Sequence, residues 1–278
     1  MRNYAALIID IRGSRKLKSE ERGVMQRRLA LVIDHLNALH REQLVRDVVF
    51  SAGDEVQGLF CNPMTAYLYF RSLVILMGGH GFHGGIGLGQ WETRMDNEPS
   101  TMQDGQAYHN ARDAVEEAKK SKEFILVIDK KSIGLEYTVF ANASLQICSM
   151  RTKVQSAYAR YVDVLAPILP QYVPDYREQC CTFLNKIARE ECGVRESFMP
   201  LGLIGPHVLP IYMEQFENGD FSIAAKQLSG LSYSMADYVP RSRQAIDRVM
   251  DNARIVYERT AAIAAARALG CQWGGVYA

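Results

Sequence analysis

Two acidic positions stand where apolar runs stop. Residues 4–10 read YAALIID and end on Asp10, while residues 50–60 read FSAGDEVQGLF and carry Asp54 and Glu55 inside an alternating apolar pattern. Carboxylates at the tips of neighbouring strands suit magnesium, which accepts one or two hard oxygen ligands and fills its shell with substrate phosphates and water. Two such ions about 4 Å apart can activate an attacking hydroxyl and neutralise a pyrophosphate leaving group. Asp10 is followed by Ile11, Arg12, Gly13, Ser14, Arg15 and Lys16. Backbone N–H groups freed by glycine, the start of a helix and basic side chains together make a triphosphate cradle. Acidic residues in a hairpin turn are ordinarily plain turn formers. The second acidic strand end at Asp10 is what turns the reading towards metal and nucleotide.

The elements that must position these residues follow from periodicity. Residues 4–10 form a continuous apolar run, the pattern of a strand buried on both faces. From Ser19 to about Leu44 the apolar positions Met25, Leu29, Val32, Ile33, Leu36 and Leu39 recur at helical steps, with Ser19 as N-cap. Residues 48–60 alternate on either side of a turn and predict a hairpin. Asn62-Pro63 then opens a helix through Tyr67, Tyr69 and Phe70, expected as core residues, and Gly78-Gly79 closes it. Residues 82–91, FHGGIGLGQW, read as a glycine-rich strand. Its glycines serve either phosphate contact or close packing of a helix. His80 and His83 read as loop or strand-face residues, with base or phosphate contact as the alternative. A polar loop over 92–104, a helix over 105–120 and an apolar strand over 124–129 complete this part. The run Lys119-Lys120-Ser121-Lys122 suits a solvated helix end. This contains the βαββαβ order of the ferredoxin-like plait. Strand signals stop near residue 140, residues 142–165 read as one helix, and further helical stretches follow. The fold class expected is α+β, a palm domain over 1–140 followed by an all-α domain over 141–278.

LIIDIRGS resembles the first metal-binding motif of class III nucleotide cyclases, in which an Asp, the next carbonyl and a Gly-Ser pair meet two metals and the triphosphate. AGDEV resembles the second cyclase motif and the GGDEF signature of diguanylate cyclases. The resemblance implies Asp10, Asp54 and the carbonyl of Ile11 as ligands to Mg²⁺ or Mn²⁺, with Gly53 beside them. It implies Gly13 and Ser14 on phosphate and Glu55 at the catalytic acidic position, while the basic loop itself adds Arg12 and Arg15, and Gly53 and Ile11 are expected on the substrate with them. It also implies a homodimer acting on a nucleoside triphosphate. The fragments DIRGSRKL, GDEVQGLF, GIGLG and DGQAYHNARDAVEEAK together are similar to the SatD family over roughly residues 4–130, which implies a palm-like first half and a helix-turn-helix near the C-terminus. One departure matters. The late Asn and Arg of class III cyclases fall on His109 and Asp113, so developing charge is left to Arg112 or to Lys119, which matches the lysine of the GGDEF pattern.

Residues 231–253, LSYSMADYVPRSRQAIDRVMDNA, have Ala236, Pro240 and Ile246 at helix-turn-helix spacing. Arg241, Arg243, Arg248 and Arg254 would then contact DNA. Six basic against three acidic residues over 241–278 leave an all-helical docking domain equally open. The net charge of +1 gives no global reason to expect nucleic acid or an anionic membrane as partner. No apolar run approaches the roughly 18 residues of a membrane span, and no signal-peptide pattern opens the chain, so a cytoplasmic protein is expected. The six cysteines show neither zinc nor disulfide spacing and are expected as free thiols.

Overall fold

The computed structural model describes residues 3–16, 18–79, 81–130, 132–192, 210–216, 228, 230–236 and 241–273. It is a mixed α+β structure whose six-stranded, mostly antiparallel sheet runs in the order β2-β3-β1-β4-β5-β6. The strands are β1 (Tyr4–Ile11), β2 (Leu44–Ala52), β3 (Glu55–Phe60), β4 (Phe82–Gly89), β5 (Ile125–Asp129) and β6 (Ser132–Ile133). Helix α1 (Ser19–Leu39) joins β1 to β2, α2 (Pro63–Leu76) joins β3 to β4, and α3 (Gln106–Ser121) crosses between the parallel pair β4 and β5. Asn62 caps α2 by accepting from the Thr65 N–H at 2.9 Å. Tyr67, Tyr69 and Phe70 are fully buried, as expected.

Two boundaries differ from the sequence reading. Helix α1 stops at Leu39 rather than near Leu44, because Leu44 pairs with Phe60 in the sheet and a 3₁₀ turn over Arg41–Gln43 makes the change of direction. Its N-cap is Lys18 rather than Ser19, with the Glu21 carboxylate accepting from the Lys18 N–H at 3.2 Å.

The strand period of two sorts the sheet into two faces. Ala5, Leu7, Ile9 and Ile11 of β1 pack with α1 and α2. Tyr4, Ala6 and Ile8 pack on the other face with Ala107, Ala111 and Val115 of α3. Helix α3 sits unusually close to the sheet because β4 has glycine where other strands carry side chains. A β-carbon at Gly87 would lie 2.0 Å from the Ala111 N, and one at Gly85 would lie 2.4 Å from the Ala111 carbonyl oxygen. The glycine run is therefore a packing surface for α3, built against its alanines.

Beyond β6 the chain forms α4 (Leu135–Ser149), α5 (Lys153–Leu165), α6 (Tyr176–Cys192), α7 (Leu231–Ala236), α8 (Arg243–Asn252) and α9 (Ile255–Trp273). The single helix expected over 142–165 is split, because Thr152 and Gln155 form a reciprocal capping box that starts α5 afresh. The expected all-helical content also needs correction. Between Pro167 and Pro170 the backbone is extended, as a residue preceding proline prefers, and β7 (Ile168–Leu169) pairs in parallel with β8 (Ile211–Tyr212). Residue 140 lies inside α4, and residues on both sides of it share one hydrophobic cluster.

A buried ionic network crosses the same boundary. Arg71 of α2 forks onto Glu258 of α9 with two bonds of 2.8 Å and donates to Asp163 of α5 at 2.7 Å. Arg259 stands 3.7 Å from Asp163 and Arg151 stands 3.7 Å from Glu258. Burial and the neighbouring Arg71 lower the Arg259 guanidinium to about 10, which still leaves it charged at neutral pH. Removing one partner from such a set typically costs about 3–5 kcal/mol, because the other charges stay buried. The described cysteines Cys148, Cys180, Cys181 and Cys271 are free thiols. Among the described residues no helix is long and apolar enough to cross a membrane.

Two outcomes follow from this packing. Gly87→Ala should lower the unfolding free energy in urea by about 2–4 kcal/mol through its clash with the α3 backbone. Gly23→Ala, in the second turn of α1, where a β-carbon would meet only the Arg27 guanidinium at an ordinary 3.5 Å, should instead raise it by about 0.5–1 kcal/mol. His35, stacked on Phe183 at 4.1 Å, and His40 are both buried, and burial lowers them to about 3 and about 4. The unfolded chain then takes up their protons first as pH falls below about 6.5, so their contribution to stability is complete above that pH and is lost on the way down. Thermal and urea unfolding between pH 6 and 4.5 should show His35→Phe, which keeps the stack, reducing the pH slope by about 1.4 kcal/mol per pH unit.

Candidate functional site

The antiparallel registers place Glu55 of β3 opposite Asp10 of β1, and Asp10 opposite His83 of β4. Asp10 continues the β1 series Tyr4, Ala6, Ile8, so all three side chains belong to the face covered by α3. Three ionisable groups thus form a row across three adjacent strands at one end of the sheet. Arg112, Glu116 and Lys119 follow one another along α3 at steps of four and three, which sets them on one stripe of the helix.

The stripe meets the row. The Lys119 ammonium lies 3.2 Å from an Asp10 carboxylate oxygen and 3.0 Å from Glu116. Arg112 holds Glu55 with both arms of its guanidinium, Nη2 to Oε1 at 2.8 Å and Nη1 to Oε2, and the Ser51 hydroxyl donates to the same Oε1 at 2.8 Å. Glu55 is buried and Arg112 is partly exposed. Burial raises the Asp10 carboxyl above the ordinary value, Lys119 draws it back, and the charges of Asp54 and Glu55 add to the rise. Burial alone would lower Lys119, yet its bonds to Glu116 and Asp10 outweigh that and raise it. The Arg112 guanidinium is raised by its bond to Glu55. Asp10 is therefore a carboxylate crowded by two others and relieved by a cation.

Asp54 lies in the two-residue turn between β2 and β3, where Gly53 takes φ +65° and its carbonyl accepts from Gln26 at 3.3 Å. Only glycine enters that conformation without strain. After β1, Arg12 extends from the strand end and donates from Nε to the His83 Nε2 at 3.1 Å. Gly13 takes φ +72°, and its carbonyl accepts from the Lys16 N–H at 2.9 Å to close the 3₁₀ turn Ser14–Lys16. Ser14 is buried and its carbonyl accepts from Arg22 at 3.2 Å. The side chain of Ile11 is buried in the core, so it can offer the site only its backbone. The side chain of Arg15 lies outside the described residues.

These residues can hold a metal only in company. Among the described residues no three His, Cys, Asp or Glu side chains converge as a self-sufficient metal site. Asp10 with Asp54 supplies the one or two carboxylates that magnesium takes when phosphate oxygens complete its shell. In this structure the Lys119 ammonium takes the place beside Asp10 that such a metal would have to share or clear. In type, these oxygen donors suit a hard cation only when further oxygens complete its shell.

His109 lies 3.4 Å from Asp104 with two thirds of its side chain exposed, and Asp113 is exposed, so neither joins the row. The sequence reading missed Ser51 as a member of the site and placed His83 on a strand face, with phosphate contact only as the alternative. Only the pairing of β1 with β4 reveals His83 as the neighbour of Asp10. In the C-terminal part Ile246 is buried while Arg241, Arg243, Arg248 and Arg254 are exposed, and Arg243 lies 3.7 Å from Asp247. Pro240, the expected turn residue, lies outside the described residues.

No curated protein and no solved structure matched the chain. The SatD family model matches residues 4–181, well past the first half of the chain and through the whole of the charged row. The chain belongs to the SatD family.

Proposed function

We propose that the chain is a metal-dependent nucleotide cyclase or cyclic oligonucleotide synthase of the palm type, acting on a nucleoside triphosphate with release of pyrophosphate. The observation that carries this reading is the pairing of Asp10 with Glu55 across adjacent strands, next to Asp54 in the hairpin turn, with Lys119 at 3.2 Å from Asp10. The connection β1-α1-β2-β3-α2-β4 with strand order β2-β3-β1-β4 supports a ferredoxin-like plait, the framework of such palms.

In this reading Asp10, Asp54 and the Ile11 carbonyl hold Mg²⁺ or Mn²⁺, which supplies charge neutralisation of the phosphates and acidifies the attacking hydroxyl when bound. The 3′-hydroxyl oxygen forms a bond to the α-phosphorus, the bond from that phosphorus to the bridging oxygen breaks, and pyrophosphate leaves. The hydroxyl proton passes to a site carboxylate or to water. Arg12, Gly13, Ser14 and Arg15 bind the phosphates. Lys119 and Arg112 are the cations within reach of the charge that develops, in place of the cyclase arginine. A homodimer belongs to this reading, and the exposed apolar residues Ile133, Leu135, Val139 and Phe140 offer a surface for it.

A second reading is a nucleotide-sensing, DNA-binding regulator with an inactive palm. It is favoured by the engagement of Glu55 with Arg112, which ties up the acidic position that GGDEF enzymes use, and by the exposed arginines of α8 and its flanks.

Purified protein incubated with each of the four ribonucleoside triphosphates and Mg²⁺ or Mn²⁺, then chromatographed, separates the two. A cyclic product with pyrophosphate is expected from at least one nucleotide, falling at least about 100-fold in Asp10→Asn and Asp54→Asn with the fold intact. Absence of product from every nucleotide, with thermal stability raised by a triphosphate, points to the regulator. Unchanged activity in Asp54→Asn refutes the assigned site.

A further inference from the structure

The geometry points to His83 as the residue that positions Arg12 for the substrate's phosphates, an inference that rests on the nucleotide reading above and adds to it a residue that no motif marks.

His83 is buried beside Asp10. Its Nδ1 lies 2.8 Å from the Glu123 carbonyl oxygen, and its Nε2 lies 3.1 Å from the Arg12 Nε. A carbonyl oxygen can only accept, so Nδ1 carries the hydrogen. A guanidinium can only donate, so Nε2 supplies the lone pair. The two partners fix a neutral ring and a single tautomer. The approach of Arg12 Nη2 to Nδ1 at 3.5 Å is then a contact between two donors and carries no bond.

Arg12 is gripped from a second side. Its guanidinium carbon lies 5.4 Å from the centroid of the Phe124 ring, and its backbone N–H is bonded to the Gly81 carbonyl at 2.8 Å. An exposed arginine two residues beyond Asp10 would ordinarily sample many rotamers. Here the Nε edge is spent on His83, and among the described residues the Nη atoms have no carboxylate partner. A guanidinium held in one orientation, with its outer donors unspent, is set to receive a planar or tetrahedral oxyanion. His83 does not itself reach the phosphates. It acts by removing the freedom that Arg12 would otherwise lose on binding, and by keeping a lone pair rather than a proton towards a cation.

Binding of inorganic tripolyphosphate with Mg²⁺, measured by calorimetry on the full chain, tests this without any assumption about the base. Arg12→Ala should weaken binding about 10- to 100-fold, the range for a charge-assisted contact. His83→Leu should weaken it about 5- to 20-fold, and in the Arg12→Ala background should add less than about 2-fold. His83→Gln, whose amide can donate to Glu123 and accept from Arg12, should restore most of the loss. The Arg12 Nε–H signal in ¹⁵N NMR, protected in the wild type and in His83→Gln, should become exchange-broadened in His83→Leu. Should His83→Leu fail to fold, His83→Asn takes its place, since its shorter amide can reach Glu123 but not Arg12. A wild type that does not bind tripolyphosphate overturns the nucleotide reading and this inference with it. A wild type that binds, with Arg12→Ala weakened and folded His83 variants unchanged, overturns the role of His83 alone.

Discussion

Everything at the charged end of the sheet depends on how closely α3 lies against β4. The backbone of α3 rests on Gly85 and Gly87 at distances that no side chain could occupy, and its alanines complete the fit. A helix packed on an ordinary strand is held off by the side chains that point from the sheet towards it. Removing that layer brings the stripe of Arg112, Glu116 and Lys119 down to the row of Glu55, Asp10 and His83. Ion pairs between the two sets follow from this approach.

The pairs are electrostatically unequal. Glu55 is buried, doubly bonded to Arg112 and supported by Ser51, so it is a structural anion as the structure stands. Asp10 is less enclosed, is pushed upward by burial and by its acidic neighbours, and is met by a single lysine that also serves Glu116. A flexible ammonium on a long stem is easier to displace than a bidentate guanidinium. This difference makes Asp10 the carboxylate whose cation is the more readily displaced, and Glu55 with Arg112 the firmer pair that ties the hairpin to α3.

Much of this was legible in the sequence, because the signals were local. The apolar run ending on Asp10, the Gly-Asp turn before Glu55, the Asn-Pro start of α2 and the alanine-bearing helix before Lys119 each declare themselves within a few residues. What was not legible depends on contacts distant in the chain. Leu44 reads as the last turn of a helix until its partner Phe60 is known, and His83 reads as one more strand residue until it faces Asp10. The glycines of β4 were open between phosphate contact and packing, a choice that only the position of α3 decides. The largest surprise is Arg71, a charged residue in the apolar stretch of α2, fully buried against Glu258 of α9. Its partner lies 187 positions away, beyond any periodicity. Through that network the sheet with its charged row and the C-terminal helices are bound by charge as well as by apolar contact.

In the proposed function, Asp10 and the hairpin carboxylate Asp54 take up a divalent cation together with a triphosphate. Electron paramagnetic resonance of Mn²⁺, titrated with the protein in the presence of tripolyphosphate, reads this directly, since bound Mn²⁺ loses the sharp six-line signal of the free ion. The prediction is signal loss beyond that caused by tripolyphosphate alone in the wild type, and none beyond it in folded Asp10→Asn and Asp54→Asn. A wild type that leaves the signal unchanged, or variants that quench it equally, would contradict the claim.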